Sequence, residues 1–379
     1  MSSSTRVLHV YRTYFPDTQG GIEEVIRQIC LNTQSYGIES RIFTLGANLE
    51  PVVLKRKEAE IHRFHRSFEV ASCGVSFRSL DGFKRLVDWA DVIHYQFPWP
   101  FADFLHFAGN VNKPTLVTYQ SDIIRQQSLL TLYRPLMRAF LDSVDLIVPT
   151  SQNYVSSSEE LGRYADKIEV VPNGLDDAIY PEVQGKELVS ARGQFGDDYF
   201  LFIGVLRYYK GLHILLDALQ GASLKCVIAG SGPFESELKR HAARLGLDNV
   251  YFLGHVSDIE KVVLLQLCRA VVFPSHLRSE AFGMTLVEGA MFGRPLISAE
   301  IGTGASYVND DGKTGYVVPP EDPLALREAM EKLYKDKLLA ERLGAAARNR
   351  YELEFTGRLM GERYANLYER LLENSMSEY

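Results

Sequence analysis

The sequence predicts an α/β protein built from two doubly wound domains. Three observations carry that prediction. Short apolar runs alternate with helical patterns from end to end, the alternation restarts near residue 199, and the stretch between the two series, Pro172–Gly196, is rich in turn residues. Strands that are apolar throughout, without polar alternation, belong to parallel sheets covered by helices on both faces.

In the first series the expected strands are Arg6–Tyr11, Arg41–Leu45, Asp91–Tyr95, Thr115–Tyr119, Asp145–Val148 and Ile168–Val171. Between the first two, Ile22, Val25, Ile26 and Ile29 repeat at helical spacing, so Gly21–Tyr36 reads as the crossover of a βαβ unit. The second series is Tyr199–Val205, Leu224–Ala229, Val250–Leu253, Ala270–Phe273, Pro295–Ser298 and Tyr316–Val318. Helices are expected over Gly211–Gln220, Pro233–Leu245, Val256–Leu267, Gly283–Phe292 and Pro323–Lys335. Pro172–Gly196 reads as a linker, and Leu338–Glu373 as a charged amphipathic helical tail. Open sheets of this kind bind ligands beyond the carboxyl ends of their strands, so the residues just after each strand are the candidates for function.

Composition narrows the function classes. The 379 residues are 46% hydrophobic and 23% charged, an ordinary globular balance. A formal charge of −7 argues against general affinity for nucleic acid. Cys30, Cys73, Cys226 and Cys268 stand singly, with neither zinc spacing nor a disulfide framework, which suggests a reducing compartment. Met1–Thr5 is polar and lacks the apolar core of a secretory signal. The most apolar long stretch, Val262–Phe273, is broken by Gln266 and Arg269 and is too short to span a bilayer. A soluble, cytoplasmic protein is expected, one still able to lie on a membrane.

Four strand ends carry candidate chemistry. Gly20–Gly21 would let backbone amides approach an anion at a helix N-terminus; there is no G-x-G-x-x-G, and an ordinary turn explains the pair equally well. In Gly204–Gly211, Arg207 and Lys210 suit a diphosphate, or form a plain solvated turn. In Pro274–Glu288, Glu280 precedes and Glu288 follows the turn Phe282-Gly283-Met284-Thr285, a natural phosphate cradle. Glu280 then suits sugar hydroxyls and Glu288 a ribose diol; a cap and a helix-surface charge are the plainer alternatives. Gln120 ends another strand and would point across a cleft at the second domain, while Asp122 suits a cap on a helix beginning near Ile123. His94, Gln96 and Trp99 follow a further strand and would line an acceptor site, Trp99 as a platform for a sugar ring, although lone His and Trp residues are more often packed.

These segments, together with Val171-Pro172-Asn173-Gly174, Ala229-Gly230-Ser231-Gly232-Pro233, Gly254-His255-Val256 and Gly315-Tyr316-Val317-Val318-Pro319, resemble in order and spacing the retaining glycosyltransferases of the two-Rossmann (GT-B) class, specifically glycosyltransferase family 4. The resemblance covers nearly the whole chain. It implies two doubly wound Rossmann-like domains facing across a cleft: an acceptor-binding domain over residues 1–180, a nucleotide-sugar-binding domain over 181–354, and a last helix, 355–379, crossing back to the first. It implies Gly20 and Gly21 at the donor phosphates or acceptor hydroxyl, and Arg207 and Lys210 on the leaving diphosphate. Glu280 and the amides of Phe282, Gly283, Met284 and Thr285 would hold sugar and β-phosphate, and Glu288 the ribose. It implies no metal and no other cofactor. The family commonly has His where Gln120 stands, and a basic residue where Val205 stands, so Arg207 sits two residues late.

Tyr11-Arg12-Thr13-Tyr14-Phe15-Pro16 and Tyr208-Tyr209-Lys210-Gly211 look similar to bacterial mannosyl- and rhamnosyltransferases of O-antigen synthesis. That similarity implies a GDP-mannose or GDP-rhamnose donor, Tyr14 on the acceptor side, and a lipid-linked polysaccharide acceptor at the cytoplasmic face of the inner membrane. Residues 50–90 hold eight cations, among them Lys55, Arg56 and Lys57, against six acids, with Phe64, Phe68, Phe77, Phe83 and Trp89 between them. Cations with apolar contacts are the means of peripheral membrane binding, unless these aromatics are core. A UDP-sugar donor, another GT-B enzyme (an epimerase or a phosphorylase) and an inactive sugar-binding homologue are the alternatives left standing.

Overall fold

A computed structural model describes residues 4–47, 50, 52–70, 73–123 and 127–377; the first three residues of the polar lead-in lie outside these. The chain divides into two compact units, Met1–Gly174 with Gly357–Tyr379, and Leu175–Thr356. The first break therefore precedes the expected residue 180. Leu175 gives its amide to the Phe355 carbonyl (2.9 Å) and accepts the Tyr351 hydroxyl on its own carbonyl (2.8 Å), which ties residue 175 to the second unit.

The first unit contains β1 (Thr5–Val10), β2 (Ile38–Gly46), β3 (Val53–Lys55), β4 (Glu60–His65), an antiparallel pair β5 (Phe68–Val70) and β6 (Cys73–Val75), then β7 (Val92–Phe97), β8 (Thr115–Tyr119) and β9 (Leu146–Pro149). Its main sheet runs β3-β4-β2-β1-β7-β8-β9, parallel except for β3. Strands β7, β8 and β9 are buried at every position, which is why they read as unbroken apolar runs. The expected strand Ile168–Val171 is reduced to one isolated bridge between Ile168 and Ile147. Its place in the count is taken by β4, which the charged stretch conceals: Arg63 is buried within it and bonds Asp17 at 2.7 Å.

The second unit carries β10 (Phe200–Ile203), β11 (Cys226–Ala229), β12 (Val250–Gly254), β13 (Ala270–Phe273), β14 (Leu296–Ala299) and β15 (Gly315–Val318). All pairs are parallel, in the order β12-β11-β10-β13-β14-β15. Leaving β3 aside, both sheets have the 3-2-1-4-5-6 order of doubly wound folds, whose ligand crevice opens where the winding reverses. In the second unit that point lies between β10 and β13, and in the first between β1 and β7.

Two connecting segments differ from expectation. Within Pro172–Gly196 a helix, Gly185–Phe195, forms and buries Phe195 in the second core. The helical tail is three pieces: Lys337–Arg350, a widened turn Tyr351–Phe355 held by its buried Tyr351 and Phe355, and a helix Gly357–Ser377. That last helix belongs to the first unit and packs on the helix Gly21–Thr33. The contact needs Gly361, where a Cβ would lie 2.5 Å from the Asn32 carbonyl oxygen. Among the described residues no helix is long and apolar enough to cross a membrane.

Candidate functional site

In the second unit, the loops after β10 and β13 are pressed together. Gly211 has φ +70°, and a Cβ there would lie 1.9 Å from the Pro274 carbonyl oxygen, so only glycine allows this approach. The His276 amide donates to the Tyr209 carbonyl at 3.1 Å. Lys210 is thereby brought to Glu280 and donates its ammonium hydrogen to Oε2; both side chains are 12% exposed. The Ser275 hydroxyl donates to the same oxygen at 3.4 Å, and Lys210 Nζ lies 4.8 Å from the Phe273 ring centre. A buried ion pair stays charged only when its geometry and extra hydrogen bonds offset the lost hydration. Arg207 remains exposed at the head of the short turn Tyr208–Lys210, so the cation that meets Glu280 is Lys210.

The helix Met284–Met291 starts at Gly283, whose φ +93° and ψ 63° are left-handed. Thr285 donates its hydroxyl to the Ile203 carbonyl at 3.1 Å, fixing the helix start to the end of β10. Phe282 is buried beneath it, against Gly304. First-turn amides have no partner within a helix and carry its positive end, so this N-terminus suits an anion. Further along, Glu288 is not a solvated surface charge. Its Oε1 accepts from Tyr180 Oη (2.8 Å) and Lys261 Nζ (2.9 Å), which leaves Oε2 for a ligand hydroxyl.

In the first unit, Gly20 has extended backbone that any residue adopts, and the atoms nearest an added side chain are the end of the Glu23 side chain. A Cβ would lie 2.6 Å from Glu23 Oε2. Buried Glu23 is held in turn by the hydroxyls of Thr13 (2.9 Å) and Thr18 (2.7 Å). Gly20 and Gly21 thus stand exposed at a helix start on a braced loop. Gln120 takes its place after β8 through its amide, which donates to the Phe97 carbonyl at 3.0 Å, and its side chain donates to Gln96 Oε1 at 2.9 Å.

The other first-unit candidates need correction. Trp99 is wholly buried, donates Nε1–H to the Gly74 carbonyl (3.1 Å) and packs near Phe43 and Phe101, so it offers no platform to a sugar. Tyr14 is buried with its hydroxyl on Glu58 (3.3 Å). His94 and Gln96 are buried inside the sheet, with Gln96 directly behind Gln120. Asp122 accepts from Tyr119 Oη (2.8 Å) and Ser158 Oγ (2.7 Å), and the helix start expected just after Ile123 lies outside the described residues. Within residues 50–90, Phe83 is core and Phe64 stacks on Phe43, whereas Phe68 and Phe77 are exposed.

Sequence reasoning missed Tyr180 and Lys261, which reach Glu288 from 108 and 27 residues away. It also missed Ser275, and Tyr364 and Tyr368 behind Gln120. Nothing local marks such residues; only the assembled sheets bring them to the site.

Comparison with known proteins agrees with this division. The family pattern "Glycosyltransferase Family 4" matches residues 19–179, and "Glycosyl transferases group 1" matches residues 190–350. The chain is 52% identical over 351 residues to "D-rhamnosyltransferase WbpZ" of Pseudomonas aeruginosa, covering 93% of this chain and 92% of that one. It is 48% identical over 371 residues to "O-antigen chain mannosyltransferase C" of Escherichia coli, covering 97% and 99%. Among solved structures, the sucrose-phosphate synthase of Thermosynechococcus elongatus superposes with TM-score 0.79 at 18% identity, covering 98% of this chain and 100% of that one, a likeness of fold. Anabaena Alr3699/HepE, solved in complex with UDP, gives 0.78 at 19% identity over 97% and 100%. Two family patterns that divide the chain almost where the fold does, with identity near one half sustained from end to end, make this chain a GT-B glycosyltransferase of family 4.

Proposed function

We propose that this glycosyltransferase moves mannose or D-rhamnose from a GDP-sugar onto a growing, lipid-linked polysaccharide of the O-antigen type, with retention at the anomeric carbon. The D-rhamnosyl- and mannosyltransferase relatives support the sugar and the polymer. The observation that carries the donor site is the Lys210–Glu280 pair beside the helix N-terminus at Gly283, with Glu288 a little over one turn inside that helix.

The bond to be broken joins the sugar C1 to a β-phosphate oxygen. Its cleavage passes through an oxocarbenium-like transition state while negative charge grows on the leaving diphosphate. The Lys210 ammonium and the first-turn amides after Gly283 stabilise that charge, and fixed groups of this kind act most strongly where charge develops. Glu280 holds sugar hydroxyls, Glu288 Oε2 takes the ribose diol, and Gln120 hydrogen-bonds the sugar near C1. The acceptor hydroxyl attacks on the face that the diphosphate leaves. The new C1–O bond forms as the C1–O–P bond breaks, and the acceptor's proton passes to the departing phosphate oxygen. This scheme asks for no enzymic nucleophile and no cofactor.

A thermal-shift panel of GDP, UDP, ADP and dTDP tests the donor base. A nucleotide at ~100 times its dissociation constant stabilises by ~2.7 kcal/mol, and GDP should be the one that does. Transfer from GDP-mannose or GDP-D-rhamnose, with the product's anomeric configuration read by NMR, tests the rest. Stabilisation by UDP alone would overturn the GDP assignment. Donor turnover without an acceptor-linked product would favour an epimerase, and an inverted anomer would remove retention.

A further inference from the structure

We propose that Tyr368, His94 and Gln96 form a positioning chain that sets which end of the Gln120 amide faces the sugar. The proposal rests on the reading of Gln120 as a donor-sugar contact. It gives the returning C-terminal helix a role in the reaction.

The links are continuous. Gln120 Nε2 donates to Gln96 Oε1 at 2.9 Å, and Gln96 Nε2 lies 3.2 Å from His94 Nε2. His94 Nε2 is also 2.7 Å from Thr118 Oγ1, and His94 Nδ1 is 2.7 Å from Tyr368 Oη. Tyr364 Oη lies 2.7 Å from Thr118 Oγ1. Tyr364 and Tyr368 are four residues apart on one helix, so both reach the sheet from the same face.

The donors and acceptors fit one consistent sense. An amide N–H directed at His94 Nε2 requires that nitrogen to be unprotonated. Burial and the neighbouring His9 hold the His94 pKa well below the ordinary imidazole value, so the ring is neutral. Its one hydrogen then sits on Nδ1 and is donated to Tyr368 Oη. In this sense the Gln96 amide and the Thr118 hydroxyl share the single Nε2 lone pair in a three-centre bond, and Thr118 accepts from Tyr364. Reversing a single amide would set two N–H groups, or two acceptors, face to face. Orientation is therefore a property of the whole chain rather than of Gln120 alone. Gln96, His94, Thr118, Tyr364 and Tyr368 are all at most 1% exposed and Gln120 is 5% exposed, so no water competes for these groups. Held in this sense, Gln120 keeps its carbonyl oxygen and one N–H for a ligand, and presents an acceptor to a sugar hydroxyl.

The test is a double-mutant comparison on the full chain, with donor turnover and GDP affinity both measured. Tyr368→Phe removes one oxygen and keeps the ring. It should lower kcat by between ~10-fold and the ~10²-fold that a ~1 Å misplacement of a reacting group costs, while the GDP dissociation constant stays unchanged. In a Gln120→Ala background the same substitution should have no further effect on kcat. Gln96→Glu, which places an acceptor against His94 Nε2, should behave as Tyr368→Phe does. Gln120→His keeps one N–H for Gln96 and one lone pair for the sugar; it should remain active and remain sensitive to Tyr368→Phe. Equal losses in both backgrounds, or GDP affinity falling in step with kcat, would overturn the chain and leave a purely structural role. Full activity of the Gln120→Ala single variant would instead overturn the placement of Gln120 at the donor sugar, and the proposal with it.

Discussion

Lys210 gives an ammonium hydrogen to Glu280 across 70 residues of sequence, and neither side chain is more than 12% exposed. The pairing follows from sheet order. Strands β10 and β13 are neighbours, and Gly211 removes the one atom that would keep their loops apart. A cation and a carboxylate thus stand together where a doubly wound sheet opens for ligand.

Lys210→Met should lower kcat by ~10²–10³, the usual loss when a fixed group is removed from developing charge. Arg207→Ala should cost much less, because Arg207 is exposed and water screens its charge. Wild-type turnover should be unchanged by EDTA if, as proposed, Lys210 and the helix N-terminus supply the positive charge. Steady-state kinetics on the folded variants decide the matter; Lys210→Met within a few-fold of wild type removes this lysine from the reaction.

Glu288→Ala should weaken GDP binding by about 1.5–3 kcal/mol, the worth of a hydrogen bond to a charged acceptor. Tyr180→Phe should weaken it less, because Lys261 still holds the same carboxylate oxygen at 2.9 Å. Titration calorimetry with GDP reads both. Equal affinity for wild type and Glu288→Ala would reduce Glu288 to a structural partner of Tyr180 and Lys261.

The strands that were legible are those buried on both faces, since their spelling is apolar throughout. Thr115–Tyr119 and Ala270–Phe273 were read to the residue. Strand β4 was not legible, because a buried Arg63 paired with Asp17 looks like surface charge until the loop carrying Asp17 is folded back. The placement of Lys210 and Glu280 after neighbouring strands and of Glu288 in the following helix was legible because local spacing sets it. The acceptor side was read badly for the opposite reason. Trp99 and His94 stand after or within a strand, but their direction depends on what covers the sheet, and Gly74 and Tyr368 cover them.

Gly211→Ala should destabilise the second unit by about 1–3 kcal/mol, the cost of a side chain in a left-handed conformation that the surroundings enforce. The added carbon would lie 1.9 Å from the Pro274 oxygen, so the two loops must also separate. GDP affinity and turnover should fall with stability, unlike in Lys210→Met, which keeps the backbone. A wild-type urea midpoint for Gly211→Ala would show that the loops part without cost.

Acid should weaken the first unit through its buried histidines, offset in part by buried Asp103, whose pKa burial holds well above the ordinary carboxylate value. Burial lowers the pKa of His9 to about 3 and of His106 to about 4, and holds His94 well below its usual value. The unfolded chain, with histidines near pH 6.5, then binds more protons than the folded one, so stability is full above about pH 6.5 and falls as pH drops toward 4. Each ring contributes at most about 1.4 kcal/mol per pH unit in that window. Urea midpoints at pH 7.5 and 5.5 measure the slope, and equal midpoints would mean that these rings protonate without unfolding.

The lipid-linked acceptor proposed above would bring the first unit to a membrane surface, and the exposed groups among the described residues of 50–90 say which side chains to test. Arg56, Arg63 and Arg66 are engaged by Glu58, Asp17 and Glu69, so the cation count of that stretch overstates the charge it offers. Phe68 and Phe77 are 48% and 60% exposed with ring centres 6.3 Å apart, Val70 beside Phe68 is 51% exposed, and Lys57, Arg78, Lys84 and Arg85 are exposed as well. Each such phenylalanine contributes ~1.5–3 kcal/mol when fully buried, and cations near an anionic surface add to it. Co-sedimentation with anionic vesicles should therefore fall with salt and drop strongly for Phe68→Ser with Phe77→Ser. Replacing Lys55, Arg56 and Lys57 by Glu should reduce it less, since Arg56 already serves Glu58. Wild-type protein that stays in the supernatant at low salt would mean that the acceptor itself, rather than the bilayer, brings enzyme and substrate together.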